Sequence, residues 1–502
     1  MQPRSSFIYA LILGLLTSLM SFSSSAGWWQ MLILALFWRL THRHYFHGPV
    51  FQAKLGWCFG FAYFCHGLWW IYVSLHDVGG MPIWMASGGV VLLAAFLAFF
   101  PSMASYLGSR FYSQSHSGIA WAASWTLLEW LRGHILTGFP WIGFGDAQVS
   151  GPFMALIPIF GVLGATFAVL WGAYKIGSAP GRLFLPLFSL GFVILLISFF
   201  ENTNYTKPLG NMLEVKLLQG NFPQTLTYDE SALRNQNSYY LNSLMDKPVN
   251  LIVAPETAIS IPENELPPNW SKELEAFVKI TNTHVLTGII GFENNQYANQ
   301  AKGFSPSGAQ YYYTKAHLVP FGEYIPPGFE WFVRAIQAPL SQFKKGDFSQ
   351  DSFKISRSNQ PDVYGAVMIC YEDVFGSEIA SRVRSASQTP GLLINMTNLA
   401  WFGNTSAPYQ QLRLAQLRSL ETGLPTIRAT NTGLTAIINE RGQVQSQLPI
   451  FTQGHLIGSV QPRSGKTPYV EFGDAPIILF SLFCLLLAWL QKKRGEQSYS
   501  VI

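Results

Sequence analysis

The sequence predicts a polytopic α-helical membrane domain of about eight transmembrane helices, joined to an extracytoplasmic α/β layered domain. Three observations carry that prediction. Of 502 residues, 49% are hydrophobic and only 12% charged, whereas soluble globular proteins carry about 25% charged residues. Seven apolar runs fill the first 200 residues and an eighth lies near the C-terminus. Between them, short β-rich runs alternate with helical patterns from about 210 to 460.

The apolar runs cover roughly 6–23, 27–41, 55–74, 83–106, 117–131, 153–174, 183–200 and 475–491. Most approach the ~20 residues needed to cross about 30 Å of hydrocarbon. The second and fifth are short and carry Trp, Arg or Glu. The first, followed by SFSSSAG, has the form of a retained span or of a cleaved signal peptide. The expected domains are 1–200 with seven helices, 201–474 as the external domain, and 475–502 with the last helix and a basic tail.

Orientation follows from Lys and Arg, which are retained on the cytoplasmic side of short loops. Arg4, Arg43, Lys54, Arg110, Lys175, Arg182 and the tail Lys492, Lys493 and Arg494 fall at alternate span ends. The segment 201–474 is then outside the cytoplasm. The net charge of +5 marks this topology and forms no basic stripe for nucleic acid. His42, His44 and His47 cluster in one loop without a Cys, Asp or Glu to complete a metal site.

In the external domain the candidate strands are 214–220, 250–256, 284–292, 309–315, 362–370, 391–397, 425–431 and 434–440, with helices at about 229–245, 271–282, 373–386 and 407–422. Several strands are almost wholly apolar, as in a sheet covered on both faces. Three of them end in chemistry: NLIVAPE in Glu256, AQYYYTK in Lys315 and DVYGAVMIC in Cys370. Carboxyl ends of strands are the usual place for it.

Cys370 is the one external cysteine, so it has no intrachain disulfide partner there. It is either an inert buried thiol or a nucleophile activated at a helix N-terminus, where the dipole favours thiolate. Glu256 is a surface ion-pair partner, or a partly desolvated carboxylate able to take a thiol proton. Lys315 is a solvated edge residue, or a fixed positive charge for an oxyanion. His284 and His317 are the alternative external bases.

Taken together, APETA (254–258), YTKAHLVPFGEYIP (313–326), CYED (370–373), AWFG (400–403), GFPW (138–141) and GGMP (79–82) resemble the carbon-nitrogen hydrolase, or nitrilase, superfamily. The order of these motifs together with the apolar runs is most similar to its membrane branch, the apolipoprotein N-acyltransferases. The resemblance implies an α-β-β-α sandwich and a Glu-Lys-Cys triad of Glu256, Lys315 and Cys370. It makes Glu323 a supporting carboxylate and gives Tyr371 and Glu372 roles in shaping the pocket. Tyr228, Trp401, Phe402 and Trp141 become substrate contacts. It further implies a phospholipid acyl donor, a diacylglyceryl-apolipoprotein acceptor, no cofactor or metal, a monomer, and the bacterial inner membrane with the catalytic domain periplasmic.

Both substrates would be bilayer lipids, and membrane spans avoid extracting chains at about 0.8 kcal/mol per CH₂. The stretch 326–348 mixes large aromatics with basic residues, which suits an interfacial segment or an ordinary connector. A membrane-tethered amidase would use the same three residues and release its acyl group to water. A lipid transporter would be expected to line its spans with more ionisable groups than His66, Glu129 and Arg39.

Overall fold

A computed structural model of the chain describes residues 3–111, 117–178, 191, 194–195, 203–224, 230–328, 330 and 342–499. They form two compact units: Met1–His76 with Gly80–Thr203 and Phe472–Ile502, and Asp77–Gly79 with Asn204–Glu471.

The first unit is helical: α1 (Pro3–Met20), α2 (Ala26–Arg43), α3 (Pro49–Gly67), α4 (Ile83–Leu97), α5 (Phe99–Arg110), α6 (Ser117–Arg132), α7 (Ile157–Gly177) and a C-terminal helix (Ala475–Tyr499). Among the described residues, three stretches are long and apolar enough to cross a membrane: Ile83–Arg110, Met154–Gly177 and Ala475–Arg494. A fourth, Pro49–Gly67 with Ile71–Val78, meets the test as a pair bent by 56°. The expected first, second and fifth spans are helical too. They fall short because α1 is a shorter apolar helix, α2 carries Arg39, and α6 has 16 residues including Glu129 and Arg132. The expected span 183–200 falls almost wholly outside the described residues.

Glu129 and Arg132 explain how a helix this apolar tolerates two charges. They pair at 3.4 Å, both nearly buried. Glu129 accepts from the Phe144 N–H and the Thr166 hydroxyl, each at 2.8 Å. Arg132 donates to the carbonyls of Phe139 and Trp141 at 2.6 and 2.9 Å. The pair thus shapes the loop after α6, where Leu136, Gly138 and Ile142 have positive φ. Trp141, expected at a substrate surface, is buried with its ring 5.1 Å from that of Trp70.

The second unit is built on strands β1 (Thr206–Pro208), β2 (Leu213–Gln219), β3 (Leu251–Val253), β4 (His284–Glu293), β5 (Gln296–Phe304), β6 (Gln310–Thr314), β7 (Phe353–Ile355), β8 (Val363–Ile369), β9 (Leu392–Thr397), β10 (Thr426–Thr430), β11 (Ala436–Ile438), β12 (Val444–Gln447), β13 (Gly454–Val460) and β14 (Arg463–Gly465). One six-stranded sheet runs β13-β2-β3-β4-β5-β6, the other β12-β11-β10-β9-β8-β7, and β1 pairs with β14. In each, the middle strands (β2-β3-β4 and β8-β9-β10) are parallel.

Alternation along the strands divides the apolar side chains between two faces. Val215, Leu217, Val253 and Leu286 meet Val367, Ile369, Ile394 and Ile427 in one core between the sheets. Leu218, Ile252 and Val285 pack against Tyr240, Leu244, Leu274 and Val278. These come from α8 (Glu230–Asp246) and α9 (Lys272–Thr281). On the other sheet, Met368 and Leu393 lie under Ile379, Ala380 and Val383 of α10 (Gly376–Ser385). A longer helix, α11 (Ala407–Thr422), follows β9. The layers are helix, sheet, sheet, helix, the α-β-β-α sandwich that the sequence resemblance implies.

An Arg132→Met substitution strands the buried Glu129 carboxylate. Breaking such a pair costs about 3–5 kcal/mol, so thermal unfolding in detergent is expected at a clearly lower temperature. Replacing Glu129 as well, by Gln, is expected to recover most of the loss.

Candidate active site

Two antiparallel steps, β4 to β5 and β5 to β6, return β6 to the direction of β3. Lys315 follows β6 and Glu256 follows β3, so their backbones leave the same edge of the sheet. The strand carrying Glu256 ends at Val253, three residues earlier than the sequence pattern indicates. Beyond it the chain turns through Thr257, at φ 53°. It passes so close to β4 that a Cβ on Gly288 would sit 2.7 Å from the Glu256 Cα.

Lys315 is 1% exposed, and its ammonium sits between two carboxylates, 3.2 Å from Glu256 Oε1 and 2.9 Å from Glu323 Oε1. Asn299 Nδ2 donates to those same two oxygens at 2.8 Å each. The remaining oxygens are also held: Glu256 Oε2 by the Asn398 N–H and Glu323 Oε2 by the Val319 N–H, both at 2.8 Å. Burial opposes the charge on Lys315, but Glu256, Glu323 and the nearby Cys370 outweigh it and hold the ammonium protonated far above neutrality.

Cys370 comes from the other sheet, directly after β8, half-buried at the edge of the intersheet core. Its φ of 51° is a strained value for a residue with a Cβ. It opens a 3₁₀ turn of five residues, Cys370–Val374, and α10 begins only at Gly376. The expected thiolate at a helix N-terminus is not what this geometry gives. Burial pushes the thiol well up, Glu256 adds to the rise, and Lys315 only partly offsets it. The resting group is a neutral thiol with a carboxylate and an ammonium inside electrostatic range, a set that can deliver sulfur to a carbonyl once the carboxylate takes the proton.

Glu372 reaches both sheets. Its carboxylate accepts from Tyr313 Oη (2.8 Å), the Ala316 and His317 N–H groups (2.8 and 3.2 Å) and the Ile369 N–H (2.8 Å). It therefore clamps the Lys315 segment of one sheet to the Cys370 segment of the other. Tyr371 is buried edge-on to Phe375 and His317. Trp401 is exposed and Phe402 half-buried in the turn Ala400–Phe402. Tyr228 and most of the 326–348 stretch lie outside the described residues.

The two histidines are engaged elsewhere. His317 pairs with Glu378 at 3.1 Å and stacks on Phe375. His284 starts β4, and its Nε2 accepts the Ser356 N–H at 3.1 Å. Among the described residues, no group of three or more His, Cys, Asp or Glu is placed to hold a metal ion. Sequence reasoning missed Asn299. It lies on β5, which is not among the expected strands, and its Asn299, Gln300 and Lys302 are polar but buried, bonded to Glu256, Thr314 and Glu263.

Asn299→Leu keeps the volume and removes the donor shared by two carboxylates. Hydrogen bonds to charged groups contribute about 1.5–3 kcal/mol, so Cys370 acylation by an activated ester is expected to slow by roughly ten- to a hundredfold. Stopped-flow release of the leaving group measures it. His284 gives a pH prediction of definite sign. Burial lowers its pKa from 6.5 to about 4, so the unfolded chain takes up a proton that the fold refuses. Stability is full above pH 6.5 and is lost as pH falls toward 4, by about 3 kcal/mol from this group. Denaturant titration at several pH values is expected to show that slope, flattened in His284→Asn.

Comparison with known proteins agrees with this architecture. Residues 6–174 match the family described as the apolipoprotein N-acyltransferase N-terminal domain, and residues 217–469 match carbon-nitrogen hydrolase. The chain is 37% identical to the apolipoprotein N-acyltransferase of Ralstonia nicotianae over 498 residues, covering 97% of this chain and 93% of that protein. It is 36% identical to that of Nitrosomonas europaea, covering 91% and 90%, and 34% identical to that of Haemophilus influenzae, covering 86% and 84%. The chain belongs to the apolipoprotein N-acyltransferase family.

Proposed function

We propose that this protein N-acylates lipoproteins through a thioester on Cys370, taking the acyl chain from a phospholipid and passing it to the α-amine of an N-terminal diacylglyceryl-cysteine. The observation that carries the reading is the buried Lys315 ammonium, shared by Glu256 and Glu323 and within electrostatic range of the Cys370 thiol.

Glu256 takes the thiol proton as Sγ attacks the ester carbonyl, and Lys315 faces the oxyanion that forms. The C–O bond breaks, Glu256 returns the proton to the departing lysophospholipid oxygen, and the thioester remains. The acceptor enters as a neutral amine, its nitrogen attacks the thioester, and Glu256 takes one N–H proton. The C–S bond breaks and that proton returns to sulfur. Glu323 keeps Lys315 fixed through both steps. Tyr228, Trp401, Phe402 and Trp141 remain the proposed substrate contacts, the exposed Trp401 being the one placed at a surface.

The chain acts as a monomer in the bacterial inner membrane. The alternating Lys and Arg residues support eight spans with residues 201–474 on the periplasmic side. Transfer is favoured over hydrolysis because the family is named for it and because a simple tether needs fewer apolar helices.

Intact-mass analysis of purified protein is expected to show a lipid-sized adduct at Cys370 that hydroxylamine removes. Cys370→Ser is expected to carry no such adduct and to lose turnover. A parent enzyme that stays unmodified while active, or a serine variant with normal turnover, would contradict the reading.

A further inference from the structure

Behind Cys370, on the helix-covered face of the second sheet, lies a polar group that the chemistry above does not use. Arg428 on β10, Asn395 on β9, Asp373 after Cys370 and Gln411 on α11 are all buried without measurable exposure. Arg428 Nη1 donates to Asp373 Oδ2 at 2.9 Å and to Asn395 Oδ1 at 2.8 Å. Its Nη2 donates to Gln411 Oε1 at 2.8 Å. Gln411 Nε2 then donates to Asp373 Oδ1 at 3.2 Å and to the Cys370 carbonyl at 3.1 Å.

Burying an arginine, a carboxylate and two amides is expensive, and an apolar filling of the same volume is often at least as stable. What this group does that an apolar filling cannot is grip a particular peptide. That peptide belongs to the residue held at φ 51°, a conformation that persists only where its surroundings enforce it. Gln411 is the member that touches it. The carboxamide is fully committed, its oxygen to Arg428 and its nitrogen to Asp373 and Cys370, so its orientation is fixed rather than chosen by the thiol.

We propose that Gln411, oriented by Arg428 and Asp373, is a positioning residue that holds the Cys370 backbone in its left-handed conformation and so places Sγ beside Glu256 and Lys315. This rests on the reading of Cys370 as the nucleophile. Glu256, Lys315, Glu323 and Asp373 all lie within electrostatic range of the thiol, and the thiol in turn acts on Arg428. Freeing the Cys370 peptide rotates sulfur among them. A misplacement of about 1 Å in a reacting group lowers rate by about a hundredfold.

The test uses the full-length enzyme in detergent with two variants. Gln411→Met fills the space without a donor. Gln411→Glu keeps an oxygen for Arg428 while removing the N–H that reaches Cys370. Single-turnover formation of the Cys370 acyl-enzyme from phospholipid is expected to fall by about a hundredfold in each, with the phospholipid concentration for half-maximal rate unchanged. Alkylation of Cys370 by iodoacetamide, followed on its own peptide, is expected to change several-fold without any lipid present. Parental acylation and alkylation rates in either folded variant overturn the proposal. So does a loss that only tracks the fraction of folded protein in both variants. A parent enzyme that never acylates Cys370 instead overturns the nucleophile reading, and the alkylation comparison still decides whether Gln411 positions the thiol.

Discussion

The site depends on one buried cation. An ammonium removed from water is costly, and Lys315 is tolerated because two carboxylates lie at 3.2 and 2.9 Å. Burial acts on the sulfur as well: removal from water raises the Cys370 thiol, and Glu256 adds to the rise. Lys315 only partly offsets this, so the thiol is held above its ordinary value. On the proposed mechanism Glu256 takes the proton as sulfur attacks, and no standing thiolate is needed.

Such a balance survives only if its parts cannot drift. Glu256, Asn299, Lys315 and Glu323 belong to one sheet and its loops, and Cys370 to the other. The intersheet core of Val215, Leu217, Val367 and Ile369 sets the separation of the two sheets. Glu372 sets the register across it, binding the N–H groups of Ala316 and Ile369 with one carboxylate. Its burial therefore serves alignment. In the helical unit, Glu129 and Arg132 use the same device, a paired charge that fixes the backbone of a loop.

Much of this was legible in the sequence for a simple reason. Cys370 and Lys315 directly follow apolar or aromatic strands, and a thiol or amine at such an end stands out. The expected strands and helices of the external domain match the observed ones to within a few residues, because burial on both faces writes itself as continuous apolar runs. Asn299 was hidden because β5 is polar on a buried face. Gln411 and Arg428 were hidden because their partners, Cys370 and Asp373, lie 41 and 55 residues away and no local pattern links them. The sequence pattern also runs the helix after Cys370 from 373, whereas a five-residue turn, Cys370–Val374, intervenes before Gly376. The helix α6 is too short, at 16 residues, to count as a span by itself, and the internal pairing of Glu129 with Arg132 is not displayed by sequence.

The most direct measurement is the thiolate absorbance of resting enzyme, taken as the difference between the parent and Cys370→Ser across pH so that the other three cysteines cancel. The account predicts no difference at neutral pH and its appearance only in the alkaline range, above the ordinary thiol value. A difference spectrum already present at pH 7 or below would show a standing thiolate, and would contradict the claim that burial and Glu256 together outweigh Lys315 and hold the thiol protonated.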